Sequence, residues 1–408
     1  MKTSPLILQH LPVSQRSLRI AVVTETYPPE INGVAMTLAR IVTGLQAKNH
    51  QIQLIRPRQN ADDNAAELPQ FEEVLQRGVP IPRYNGLKMG LPAKSALLRL
   101  WQTKRPDIVH IATEGLLGWS ALAAANKLKI PVATDFHTNF HAYTQHYGLG
   151  LLRRPVASYL RKFHNKARLT MVPTHSLRDE LHRYGYRNLA VVSRGVDTAL
   201  FNRARRSDER RRQWGAGTQE LVALYVGRLA PEKNLALVMD SFTRIQSHQP
   251  NAKLVLVGDG PERAPLESRH PQHIFAGMRS GVDLAQHYAS ADLFLFPSTT
   301  ETYGNVTLEA MASGLAVVAY DYAAARELIR HGANGLLAPF DQAPQFIALA
   351  ENLAATPGEI GRLGNSARDT AETVEWAKVY DAFERELLSI VREGDSDVTT
   401  SQLSFIPD

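Results

Sequence analysis

A chain of 408 residues, 44% hydrophobic and without cysteine, is long enough for two or three globular domains and excludes disulfides and thiolate metal sites. No apolar run reaches the roughly 18 residues of a membrane span, and the patch at residues 6–8 is too short for a signal-peptide core, so a cytoplasmic protein is expected. The net charge of +6 and pI of about 9.4 suit anionic ligands or an anionic membrane surface; nucleic acid is disfavoured because no recognised binding motif accompanies the charge.

The N-terminal half alternates strand and helix. Residues 18–24 (LRIAVVT) read as a strand, and residues 34–47 as a helix with Val34, Leu38, Ile41, Val42 and Leu45 on one stripe. Between them runs TETYPPEINGV, where a doubly wound sheet places a phosphate-binding turn. Gly33, lacking a Cβ, lets backbone approach a ligand there, although a glycine before a helix is more often only a turn. Residues 107–112 and 131–135 read as further buried strands, the second running directly into Phe136-His137-Thr138. A histidine just past a strand end can donate a hydrogen bond to a developing charge or a sugar hydroxyl. On its own, a loop histidine is more often solvated or satisfied in the core.

Residues 145–168 interleave Leu151, Leu152, Val156, Leu160 and Phe163 with Arg153, Arg154, Arg161, Lys162, Lys166 and Arg168. Such a segment either packs its apolar stripe on the sheet or lies on an anionic membrane; residues 148–154 are the candidate for the second. The first domain is expected to end near Ser193. The arginines at 203, 205, 206 and 210–212 read as a solvated linker with a short helix.

A second alternation opens at residues 221–226. The loop GRLAPEKN that follows sets Arg228 and Lys233 at a strand-to-helix turn, where two cations can neutralise a departing diphosphate. Residues 253–257 form the next strand, ending in Gly258-Asp259-Gly260. Arg263 stands where a dinucleotide fingerprint needs its third glycine, so a nicotinamide site is poorly supported. Residues 274–277 form a short strand and residues 283–290 a helix.

Residues 291–320 then give strand, loop, helix and strand, a right-handed βαβ unit whose loop 298–304 sits at the carboxyl end of a parallel strand. Asn305 is the expected N-cap. Free backbone N–H groups at Gly304, Asn305 and Val306 suit an anion, while Glu301 and Glu309 accept from hydroxyls. One segment thus offers donors to phosphate and acceptors to sugar or ribose. The plainer reading of Glu309 alone is a carboxylate favoured by the helix dipole.

FHT, GRLAPEKN and Glu301-x7-Glu309 within TETYGNVTLEAMASG, in this order and spacing along the chain, resemble the retaining glycosyltransferases of family four. The resemblance covers about residues 18–393. It implies α/β architecture of the GT-B type, two facing Rossmann-like domains with a cleft between them. The boundaries expected are an extension at 1–17, a first, acceptor-side domain at 18–193, a linker at 194–219 and a donor-binding domain at 220–375. A last helix at 376–393 crosses back to the first domain, and a polar tail at 394–408 frays.

On the same resemblance the catalytic set is His137, Glu301, Arg228 and Lys233. The donor-binding set is Gly33, Arg228, Lys233, Met278, Tyr303, Gly304, Asn305, Val306 and Glu309. No metal is required: Asp395-Ser396-Asp397 matches a metal motif by letter only, in the tail. The donor is expected to be GDP-mannose, or else a UDP-sugar (glucose or a uronic acid). The acceptor is a lipid or glycan, because QHYGLG is similar to members that glycosylate diacylglycerol-type lipids. Asn32-Gly33 replaces the family's usual glycine pair, and Ala323-Ala324-Ala325-Arg326-Glu327 replaces another before its glutamate. A nucleotide-sugar epimerase and a non-catalytic sugar-nucleotide binder are the rival classes. A two-carboxylate glycosidase is weaker, since Glu301 and Glu309 come from one βα unit.

Overall fold

A computed structural model describes residues 16–30, 32–80, 88–137 and 153–403. In the first half the strands are β1 (Arg19–Val23), β2 (Gln51–Pro57), β3 (Glu67–Leu68), β4 (Phe71–Gln76), β5 (Gly78–Pro80), β6 (Lys88–Gly90), β7 (Ile108–Ile111), β8 (Val132–Asp135), β9 (Leu169–Val172) and β10 (Leu189–Val191). Eight of these form one sheet in the order β10-β9-β8-β7-β1-β2-β4-β3, parallel except for β3 against β4. β5 and β6 make a separate antiparallel pair. The second half carries β11 (Val222–Val226), β12 (Lys253–Val257), β13 (Ile274–Gly277), β14 (Leu293–Phe296), β15 (Ala316–Tyr320) and β16 (Leu336–Ala338), all parallel, in the order β13-β12-β11-β14-β15-β16.

The apolar runs explain the parallel sheets. LFLF in β14 and AVVAY in β15 are buried along their whole length, as strands covered by helices on both faces must be. Each sheet reverses its strand order once, at β1/β7 in the first and β11/β14 in the second. Those two reversals are where an open α/β sheet leaves a crevice at its carboxyl edge.

The last helix, Trp376–Leu403, belongs to the first sheet's core. Val379, Phe383, Leu387, Ile390 and Val391 are buried in one cluster with Ile20, Val22, Leu38, Ile41 and Val42. Burying five such side chains is worth roughly 10 kcal/mol before entropic costs. Lys48 Nζ reaches Asp381 (2.6 Å) and Glu384 (2.7 Å), and His50 Nε2 lies 2.9 Å from Glu384. Helix Gly33–Ala47 can approach this closely because a Cβ at Gly44 would overlap the Tyr380 ring. The helix continues to Leu403, so the expected frayed tail is helical for ten residues beyond 393.

Of the linker arginines, Arg203, Arg206 and Arg212 are exposed and a short helix spans Asp208–Gln213 as expected, but Arg211 is not solvated. Arg211 is 1% exposed; its guanidinium meets Asp292 Oδ2 (3.1 Å) and the carbonyl of Ser290 (2.8 Å). Arg206 pairs with Asp292 and Arg210 with Asp283, so these cations fasten the linker to the second sheet.

Candidate active site

The crevice at β11/β14 is built from two loops. After β11 the chain makes a short 3-10 turn, Pro231–Lys233, and Asn234 takes a left-handed conformation that starts helix Leu235–His248. After β14 comes the loop 297–304. Across the gap Lys233 Nζ lies 2.5 Å from Glu301 Oε1 and donates to the carbonyl of Thr300 (3.1 Å). Arg228 opens the same loop; its partly exposed guanidinium stands 3.8 Å from the buried Glu232, which serves as its ion partner.

Gly304, not Asn305, caps helix Asn305–Ala312. Its φ of 91° is left-handed, which a glycine adopts without strain, and a Cβ there would stand 3.4 Å from Glu301 Cγ. Asn305 becomes the first helical residue, and its side chain reaches Thr37 Oγ1 of the first domain at 3.5 Å. No side chain caps this helix, so its first-turn N–H groups, Val306 among them, form the positive end of the helix dipole. One turn on, Glu309 Oε2 accepts a hydrogen bond from Tyr288 (2.9 Å), and burial pushes its carboxyl up to about 7. Tyr303 is buried, its hydroxyl directed at the carbonyl of Arg194 (3.4 Å) and at Ser193 Oγ (3.4 Å); its side chain faces the junction of the two domains. Met278, just past β13, is 56% exposed.

The first domain meets this crevice at His137, after β8, and at Thr37, on the helix after β1. Gly33 is exposed at the start of helix Gly33–Ala47, with nothing within 4 Å of the position a Cβ would take. Asn32 caps that helix, accepting from Val34 (3.1 Å) and Ala35 (2.9 Å). Glu25 accepts from the Leu117 N–H (3.1 Å); burial, together with nearby Glu114, raises its carboxyl to about 7.

His137 follows β8 and is nearly buried, 9% exposed. Its Nε2 lies 3.1 Å from Asp135 Oδ2, and its Nδ1 accepts from Arg194 (3.3 Å). His110 Nε2 stands 3.3 Å from the other oxygen of Asp135. Burial lowers the basicity of His137, outweighing the opposite effect of Asp135. Burial also opposes the charge on Asp135, but His110 and His137 outweigh it and hold the carboxyl well below the usual range. The backbone carbonyl of His137 accepts from Thr302 Oγ1 (2.7 Å), in the loop that carries Glu301. A second bridge joins the domains where Glu327 Oε1 accepts from the N–H groups of His175 (3.1 Å) and Ser176 (3.3 Å).

The structure therefore gathers Arg228, Lys233, Glu301, Gly304, Asn305, Val306 and Glu309 on one side of the cleft, with Gly33 and His137 on loops of the other. Sequence reasoning gave no role to Tyr288, Arg194, Asp135 or Glu327. Asp135 had a readable sign, a carboxylate closing an apolar strand; the other three depend on contacts remote in sequence.

Residues 31–200 match the family model described as Glycosyltransferase Family 4, and residues 220–356 match Glycosyl transferases group 1. The GDP-mannose-dependent alpha-mannosyltransferase of Mycobacterium tuberculosis is 32% identical over 367 residues, 89% of this chain and 94% of the relative. The alpha-monoglucosyldiacylglycerol synthase of Acholeplasma laidlawii is 26% identical, over 86% of this chain and 92% of its own. Among solved structures, Anabaena HepE in complex with UDP and glucose superposes with a TM-score of 0.72 at 18% identity, covering 91% of this chain and all of that one. Two Rossmann-like halves, a full-length match to a mannosyltransferase and both family models agree with the expectation drawn from Glu301-x7-Glu309: the chain belongs to the family-four glycosyltransferases and has the GT-B fold.

Proposed function

We propose that the enzyme transfers a hexose, mannose from GDP-mannose, to a lipid or glycan acceptor with retention of anomeric configuration and without a bound metal. The observation that carries this reading is the Lys233–Glu301 contact at the β11/β14 crevice, which sets a cation for phosphate beside a carboxylate for sugar hydroxyls. Arg228 and Lys233 neutralise the nucleoside diphosphate as it leaves, in a partly enclosed site where fixed charges act more strongly than in water. The helix start at Gly304, Asn305 and Val306 adds N–H donors to the same phosphates. Glu301 orients the donor sugar, Glu309 holds the ribose hydroxyls and exposed Met278 meets the base. His137 and Gly33 close the site from the first domain.

Retention follows if the acceptor attacks from the face the diphosphate leaves. The C1–O bond to phosphate breaks, the acceptor oxygen bonds to C1, and a diphosphate oxygen takes the acceptor's proton. Water must be kept out, or the donor is hydrolysed. The full-length similarity to a GDP-mannose enzyme supports the donor; a UDP-sugar is the second choice. Thermal-shift screening against GDP, UDP, ADP and their sugars tests it, since a ligand bound only by the folded state raises apparent stability. Stabilisation by UDP compounds alone would overturn the assignment of GDP-mannose.

The acceptor side includes peripheral contact with an anionic membrane. None of the described helices is long and apolar enough to cross a membrane. Helix Arg153–His164 buries Leu160 and Phe163 while exposing Arg154, Arg161 and Lys162. Residues 148–152 of the candidate insertion segment lie outside the described residues.

A further inference from the structure

His137 is held at both ring nitrogens, and the two partners differ in kind. Arg194 has only donors and stays charged in proteins, so the contact at 3.3 Å requires a lone pair on Nδ1. A proton on Nδ1 would face the guanidinium directly. The ring's single proton must then sit on Nε2, which lies 3.1 Å from Asp135 Oδ2. Asp135 is fully buried, an expensive place for a carboxylate unless charges and donors surround it. His110 supplies the partner for its other oxygen at 3.3 Å. The edge of His110 is sealed by Phe383 of the crossing helix, ring centroids 5.0 Å apart and nearly perpendicular. These Asp135 contacts are off the ideal hydrogen-bond axis, as catalytic pairs often are before substrate binds.

We infer that Asp135 is the positioning residue of this enzyme, fixing His137 as the Nε2–H tautomer and setting its ring against the donor. Arg194 opposes it from the start of the linker, and Thr302 holds the backbone carbonyl of the same residue at 2.7 Å. His137 is thereby gripped from both domains. With both nitrogens engaged, it meets the donor as a fixed dipole and carries no proton through the reaction. Among the described residues the titratable groups around this cluster are Asp135, His110, Arg194, Tyr303, whose hydroxyl faces the Arg194 carbonyl, and His164, whose Nδ1 contacts Thr134 Oγ1 at 2.9 Å. The effect on turnover rests on the transferase site proposed above; the tautomer does not.

Full-length protein labelled with nitrogen-15 histidine tests both parts. Long-range proton–nitrogen correlation, with His137 assigned by its loss in His137→Gln, should show Nδ1 unprotonated and Nε2 protonated throughout pH 6–8. A protonated Nδ1, alone or with Nε2, would overturn the inference whatever the activity. Asp135→Asn should lower kcat roughly 10²-fold, the upper end of what removing an outer-shell partner that orients a functional histidine costs, with donor KM within about threefold. Its His137 signals should show mixed tautomers. A folded Asp135→Asn protein with unchanged His137 signals and unchanged kcat would refute the role. If that variant does not fold, the wild-type spectrum decides. A fixed Nε2–H tautomer in a protein that transfers no sugar would refute the transferase reading and leave the positioning intact.

Discussion

Lys233 and Glu301, one from each loop of the β11/β14 crevice, form an ion pair of 2.5 Å with both side chains largely shielded from solvent. On the site proposed above, a donor diphosphate would compete with Glu301 for Lys233, and what it drew away would free the carboxylate for the sugar.

Lys233→Ala should lower turnover on the order of 10²-fold while the fold survives, because a preorganised cation is lost where negative charge develops. The double variant Lys233→Ala/Glu301→Gln should fall short of the sum of the single effects by about 0.5–3 kcal/mol, as contacting residues do. Steady-state kinetics of the three proteins measures this. Wild-type turnover in a folded Lys233→Ala protein would sink the assignment.

The two glutamates should separate kinetically. Glu309→Gln should mainly raise donor KM, since ribose contacts are much the same in ground and transition states. Glu301→Gln should cut kcat more than it raises KM. Azide should rescue neither, and NMR of the product should show the donor's anomeric configuration. An inverted product, or a glycosyl azide, would mean that a carboxylate acts as base or nucleophile.

Glu309 also ties stability to pH. Its carboxyl titrates at about 7 in the folded protein against a usual 4.5. Between those values the folded chain keeps a proton that the unfolded chain has lost, so stability falls as pH rises through this window. The penalty is absent below about 4.5 and complete above about 7. Glu309→Gln, which still accepts from Tyr288, should raise Tm at pH 8 by about 2–4 °C, and the gap should close towards pH 5. Thermal unfolding across pH 5–8 checks this; a gap of constant size would assign the effect to something other than this titration.

Glu327→Ala removes the bridge to the start of helix His175–Arg183. Partly exposed charge-assisted hydrogen bonds of this kind are worth about 1 kcal/mol together. Closure should weaken accordingly, with kcat/KM down roughly fivefold and Tm little changed. Small-angle scattering with and without donor reads the opening directly. An unchanged profile and unchanged kinetics would show that the bridge does not govern closure.

Membrane contact should depend on charge and on two leucines. Vesicle sedimentation should show binding to anionic vesicles, weaker binding to neutral ones, and loss when Leu151 and Leu152 become Ser, with about 1 kcal/mol from each basic residue near the surface. Equal binding to both vesicle types would count against the proposal.

The parts of this molecule legible in the sequence are those that local chemistry dictates. The apolar runs of β11, β14 and β15 admit little but buried strands, and the loops at their carboxyl ends carry Lys233 and Glu301. Less legible was β4, FEEVLQ, whose charges are consumed by long-range partners: Glu73 lies 3.1 Å from Arg56, and Glu72 lies 2.7 Å from Lys104. Asn305 misled because asparagine is a good cap, whereas the sharp turn beside Glu301 demanded the left-handed conformation that Gly304 supplies. Tyr288 and Arg194 stayed hidden for the same reason as the linker arginines. Their roles exist only once distant segments meet.

The helix that crosses back sets an order of manufacture. The first sheet's core is completed by Val379, Phe383 and Leu387, which the ribosome adds only after every strand of the second sheet has been made. Until then the nascent first half presents an open apolar face where Phe383 will later cover His110. A fragment stopped before Trp376 would keep that face permanently, so the halves cannot be separated at the linker without leaving one of them unfinished.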